Sequence, residues 1–122
     1  MAQNSTRVGL IGYGLIGSAV RDMIDRNPDN GMEVAFIHDQ DPSRLTELGD
    51  LALEDLAGFD ERGADLIVEM AHPAVTRAWG TKILQKTNYM FISVTALADR
   101  ELEEAIEATS KKHGTRAYVP HG

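Results

Sequence analysis

Val8-Gly9-Leu10-Ile11-Gly12-Tyr13-Gly14-Leu15-Ile16-Gly17-Ser18-Ala19-Val20 decides the fold. An apolar run enters three glycines spaced G-x-G-x-x-G, and an amphipathic run leaves them. That order predicts a strand, a tight turn and a helix whose N-terminus faces a pyrophosphate. Gly12 permits the sharp turn. Gly14, with no Cβ, lets a phosphate approach bare backbone. Gly17 allows the helix to pack close on the strand. The free N–H groups and positive dipole end of that helix attract an anion, with Leu15 and Ile16 in its first turn.

Glycine-rich turns also serve purely as turns, so context matters. The strand before the turn is apolar. After it, Ile16, Ala19, Val20, Met23 and Ile24 recur at helical spacing and predict an inward stripe. A second apolar run, Glu33 to His38, ends at Asp39, 22 positions beyond Gly17. A carboxylate there suits the hydroxyls of an adenosine ribose and favours NAD, because it repels a 2′-phosphate. Arg44 is near enough to offset that repulsion, so NADP stays open. A solvated acid at a strand end is the alternative for Asp39.

Farther along, strands and helices alternate. The strands are expected at Thr6 to Ile11, Glu33 to His38, Leu66 to Met70, Tyr89 to Val94 and Arg116 to Val119. Helices are expected at Ile16 to Arg26, from Asp41-Pro42 onward, from Pro73 to about Lys86, and from Arg100 to Lys112. Asp41 and Asp99 are N-caps, and Gly114 is a left-handed C-terminal cap. Leu53 to Leu56 reads as one helical turn, and Thr95 to Ala98 as a loop. Val75, Ala78, Trp79 and Ile83 are expected to face inward from the third helix, and Leu102, Ala105, Ile106 and Thr109 from the last. Such alternation builds a doubly wound parallel α/β sheet, a Rossmann-type domain over residues 7–122 after a flexible tail at 1–6. Ligands bind beyond the carboxyl ends of the strands. The loops there are 12–17, 39–41, 71–73 and 95–98.

The chain has 122 residues, room for one domain. Its net charge of −7 argues against a phosphate-backbone binder such as a nucleic-acid protein. No apolar run approaches the ~20 residues that span a bilayer, and no leader peptide is visible. Cysteine is absent, which excludes disulfides and thiolate chemistry and fits a cytoplasmic protein. His38, His72, His113 and His121 have no ligand spacing, so no metal site is expected. Ser18 and Ser93 lack a nucleophile elbow. His72 either touches the nicotinamide ribose or caps the helix opened by Pro73. Glu69, at a strand end, either acts as a base or caps neighbouring N–H groups.

Three segments together carry a family resemblance: Gly12-Tyr13-Gly14-Leu15-Ile16-Gly17, Val68-Glu69-Met70-Ala71-His72-Pro73, and Ser93-Val94-Thr95-Ala96-Leu97-Ala98-Asp99. From Arg7 to Gly122, including Asp41-Pro42 and the Pro120-His121-Gly122 ending, the chain resembles the nucleotide-binding domain of L-aspartate dehydrogenases. Ala71-His72-Pro73 is most similar to the animal-type branch. The resemblance implies NAD(P)-dependent oxidative deamination of L-aspartate to iminosuccinate by hydride transfer to nicotinamide. It implies cofactor contacts from Gly12, Gly14, Leu15, Ile16, Gly17, Asp39, Ala71, His72, Thr95 and Ala96. Two departures stand out: Thr95 replaces a glycine common in the family, and His121 a serine. Family members continue into a second domain that holds the substrate and a catalytic histidine. No position in 1–122 matches that histidine, so no catalytic residue is assigned, and the fragment is expected to bind cofactor without turnover, as a monomer or a homodimer. A non-catalytic NAD(H)-binding module, or the first domain of a homoserine dehydrogenase-like or dihydrodipicolinate reductase-like enzyme, would carry the same fingerprint.

Overall fold

Five parallel strands lie in the order β2-β1-β3-β4-β5 in a computed structural model that describes residues 5–119. They are β1 (Thr6–Ile11), β2 (Met32–His38), β3 (Leu66–Glu69), β4 (Asn88–Phe91) and β5 (Ala117–Tyr118). Three helices connect them: α1 (Leu15–Arg26), α2 (Pro73–Leu84) and α3 (Arg100–His113). The strands are near-continuous apolar runs because both faces of the sheet are covered. Val8, Leu10, Ile37 and Val68 form a core with Leu45, on the face where Tyr13 and Val20 pack. Ile11, Phe36, Ile67, Tyr89 and Phe91 form the other, with Ile83 and Leu84 of α2 and Ile106 of α3. The fold is the expected doubly wound α/β domain.

β1 is central to the site. It pairs with β2 on one side (Ile11 opposite His38) and with β3 on the other (Ile11 opposite Glu69). The chain therefore departs from β1 in two directions, and a crevice opens above its carboxyl end. Between Val8 and Gly9 the register with β2 shifts by one residue. The Phe36 ring occupies the space a Cβ on Gly9 would need.

Several expectations are corrected. Thr6, counted both as the end of the tail and as the start of the first strand, opens β1 opposite Met32, and its N–H donates to the Gly31 carbonyl at 2.7 Å. The segment after Asp41 forms no α-helix. It makes 3-10 turns at Pro42–Leu45, Gly49–Leu51 and Leu56–Arg62. Each is short, and Asp41 and Asp55 cap the first and last through their side chains. The helical turn thus begins at Leu56 and does not include Leu53 to Asp55. β3, β4 and β5 are shorter than expected, and Val94–Ala98 is a 3-10 turn where a loop was expected.

The inward helix faces also differ. On α1, Ile16 and Met23 are 56% and 58% exposed, and Ala19 is exposed too, while Gly17, Val20 and Ile24 turn inward. The phase is set by Gly17, whose missing Cβ lets the helix lie against the Gly12 carbonyl. On α2 the buried residues are Thr76, Gly80, Ile83 and Leu84, with Ala78 exposed. On α3 Ile106 is buried and Ala105 is exposed. Asp99 caps α3 by accepting from the Leu102 N–H at 3.2 Å, and Gly114 ends it at φ 70°.

Candidate cofactor site

The turn after β1 is built on glycine geometry. Gly12 has φ +100°, a conformation side chains resist. Its N–H donates to the His38 carbonyl at 2.7 Å, and the Met70 N–H donates to the Ile11 carbonyl at 2.8 Å. The ends of β1, β2 and β3 are thereby locked together. A Cβ at Gly12 would press on Ala71 and the Met70 backbone, both at 3.0 Å. Gly14 is the N-cap of α1, with no side chain satisfying the helix's first N–H groups. Those donors are available to an anion.

Asp39 lies at the end of β2 and is only 9% exposed. Its Oδ2 accepts the Tyr13 N–H from inside the glycine turn at 2.7 Å, and Oδ1 accepts the Asp41 N–H at 2.8 Å. The Arg44 Nη1 donates to Oδ2 at 3.3 Å. Burial pushes the Asp39 carboxyl up. The Tyr13 and Asp41 N–H groups and the Arg44 guanidinium outweigh that and hold it below its ordinary value. A carboxylate has about four lone-pair positions, and three are filled. One remains for a hydroxyl, and the half-exposed Arg44 is the donor free to move.

These residues share a cleft of about 230 Å³. Gly12, Gly14, Asp39, Gln40 and Arg44 line it from the segments after β1 and β2, and Met70, Ala71, His72 and Val75 from the segment after β3. Of the residues expected to contact a cofactor, Gly12, Gly14, Asp39, Ala71 and His72 therefore meet in one place. Gly17 sits beneath them. Leu15 and Ile16 stand exposed at the mouth of α1, Leu15 at 88%. Thr95 and Ala96 lie apart from this cleft, in the turn beyond β4; Thr95 is exposed and Ala96 fully buried. His72 caps α2: its Nδ1 accepts the Ala74 N–H at 3.0 Å, which places the ring proton on Nε2. His121 and the Pro120-His121-Gly122 ending lie outside the described residues. Among the described residues, no three His, Asp or Glu side chains gather as metal ligands, and no helix is long and apolar enough to cross a membrane.

Gln40 lies in the 39–41 loop expected at the site, whereas Met70 and Val75 were not expected in the cleft. Val75 follows from the first turn of a helix opening at Pro73. Arg44 is foreshadowed only by its closeness to Asp39 in sequence. Glu69 caps neighbouring N–H groups, the second of its two expected roles: its carboxylate accepts from Ala71 and Ser93.

Comparison with known proteins shows the family and the fold. Residues 12–120 match the family described as "Homoserine dehydrogenase, NAD binding domain". An aspartate dehydrogenase domain-containing protein of Xenopus tropicalis is 40% identical over 95% of this chain and 42% of its own length. The L-aspartate dehydrogenase of Archaeoglobus fulgidus is 30% identical over 94% of this chain and 46% of its own length. The chain spans under half the length of these relatives. The crystal structure of aspartate dehydrogenase from Thermotoga maritima has the same fold, with a TM-score of 0.75 and 23% identity over 94% of this chain and 45% of that one.

Proposed function

Because the chain belongs to the family of NAD-binding domains typified by homoserine dehydrogenase, we propose that it is the cofactor-binding half of an L-aspartate dehydrogenase-like oxidoreductase. The observation that carries this reading is the bond from the Tyr13 N–H, inside the glycine turn, to the Asp39 carboxylate at the end of β2. It joins the pyrophosphate cradle to the ribose anchor across one cleft. The names of the relatives supply the substrate: L-aspartate, oxidised at its amine-bearing carbon.

The nicotinamide, when bound, accepts a hydride. The residues of this chain bind and orient it. The bare backbone at Gly12 and Gly14 and the N–H groups opening α1 face the pyrophosphate. Asp39 accepts from the ribose, which favours NAD, while Arg44 leaves NADP accessible. Leu15 and Ile16 border the path toward the nicotinamide, with Thr95 at its far side and the buried Ala96 beneath that turn. No side chain within 1–122 is assigned to proton transfer, and the part this chain plays is to bind and orient the cofactor.

The test is a full-length protein containing this domain, assayed for reduction of NAD by L-aspartate and by L-homoserine. Turnover with aspartate, and none by residues 1–122 alone, is the expected result. Turnover with homoserine only would hand the chemistry to the activity in the family's description. Turnover with neither, alongside intact NADH binding, would make the domain a non-catalytic module.

A further inference from the structure

Glu69 ends β3 and is fully buried. Among the described residues it forms no ion pair. Removing a carboxylate from water without a cation is unfavourable unless donors satisfy it. Here three donors do so, from two loops. Oε2 accepts the Ala71 N–H at 2.7 Å and the Ser93 hydroxyl at 2.8 Å, and Oε1 accepts the Ser93 N–H at 3.2 Å. Bonds to a charged acceptor are the stronger kind.

The two loops follow neighbouring strands, β3 and β4. Ala71 lines the cleft that contains Asp39. Ser93 opens the 3-10 turn Val94–Ala98 above β4. With the order β2-β1-β3-β4, the Asp39 end lies over β2 and the Ser93 turn lies at the opposite end. A dinucleotide anchored by its adenosine ribose at Asp39, with its pyrophosphate above β1, extends its nicotinamide toward the Ser93 turn.

We propose that Glu69 is a positioning residue for the nicotinamide half of the cofactor. It ties the Ser93 turn to the Ala71 loop and so sets the distance between them. Its burial and its three protein donors keep it out of reach of a substrate proton. The proposal rests on the cofactor reading above.

Glu69→Gln is the informative substitution. The amide oxygen can take the place of Oε2, where two donors converge, and keep the Ala71 loop in position. The amide NH₂ then faces the Ser93 N–H, donor against donor, and the β4 turn is loosened, held only by its hydroxyl bond. The variant and the unaltered chain are titrated with NADH and with ADP-ribose, which lacks nicotinamide. NADH affinity is expected to fall about tenfold, the order of one charge-assisted hydrogen bond, with ADP-ribose affinity held within about twofold. Amide exchange should quicken at Ser93 and not at Ala71. Ser93→Ala, which removes only the hydroxyl bond, should give a smaller loss in the same direction and carries the test if the Gln variant does not fold. Equal losses for both ligands, or none for NADH, would overturn the proposal. Failure of the unaltered chain to bind either ligand would overturn the cofactor reading itself.

Discussion

At Asp39 two effects oppose each other. Burial disfavours the carboxylate, while two backbone N–H groups and a guanidinium favour it, and the latter prevail. Its folded pKa therefore lies below the unfolded value of about 3.9. The stabilisation is complete above that value and drains away as pH falls through the lower folded one. Asp39→Asn should lower stability at neutral pH by about 1.5–3 kcal/mol, the worth of hydrogen bonds to a charged group. In chemical denaturation the deficit should shrink as pH is taken below the unfolded value toward the lower folded one. A deficit unchanged with pH would count against the assignment. In ligand binding, Asp39→Ala should weaken NADH by about one to two orders of magnitude. NADPH should suffer less, because Arg44 is released to meet a 2′-phosphate. Equal losses in a fluorescence titration would sink the ribose role. The place of Asp39 in the cleft was legible in the sequence because it ends an apolar strand at a set distance from a glycine fingerprint. Arg44's contact with it and Glu69's with Ser93 depend on how loops fold back across the sheet, and no local pattern records that.

Elements carry a different kind of information. The strands were legible because unbroken apolar runs leave no choice of face. The helix faces were not. Ile16, Ala19 and Met23 have the spacing of a buried stripe, yet α1 turns them outward because Gly17 must lie against the Gly12 carbonyl. Close backbone approach outranks apolar periodicity there. Gly17→Ala would drive a Cβ into that carbonyl. It should cost ~1–3 kcal/mol or more in denaturant unfolding and abolish cofactor binding with it. Gly58→Ala, whose Cβ meets only Leu53 at an ordinary 3.4 Å, should be tolerated. At the start of α2, His72→Ala should cost about 1 kcal/mol through loss of the cap, and His72→Asn should restore most of it. If Asn recovers stability but not NADH affinity in parallel titrations, the ring also contacts the ligand. The stretch after Asp41 was misread as helix because an N-cap followed by proline opens α-helices and 3-10 turns alike. What ends it within one turn is packing of Leu45 and Leu56 onto the sheet.

For the whole molecule, sheet order, not any one side chain, assembles the site. Strands β1, β2 and β3 end side by side, so the residues following them meet although they lie far apart in sequence. The chain covers under half of the relatives it matches, and the role proposed for it is to hold the cofactor. The most direct test of that role is a titration of residues 1–122 with NADH followed by backbone amide NMR. Saturable shifts concentrated at Gly12 to Gly17, Asp39 to Asp41 and Ala71 to His72 are predicted. An absence of saturable shifts, or shifts centred away from the carboxyl ends of β1, β2 and β3, would contradict it.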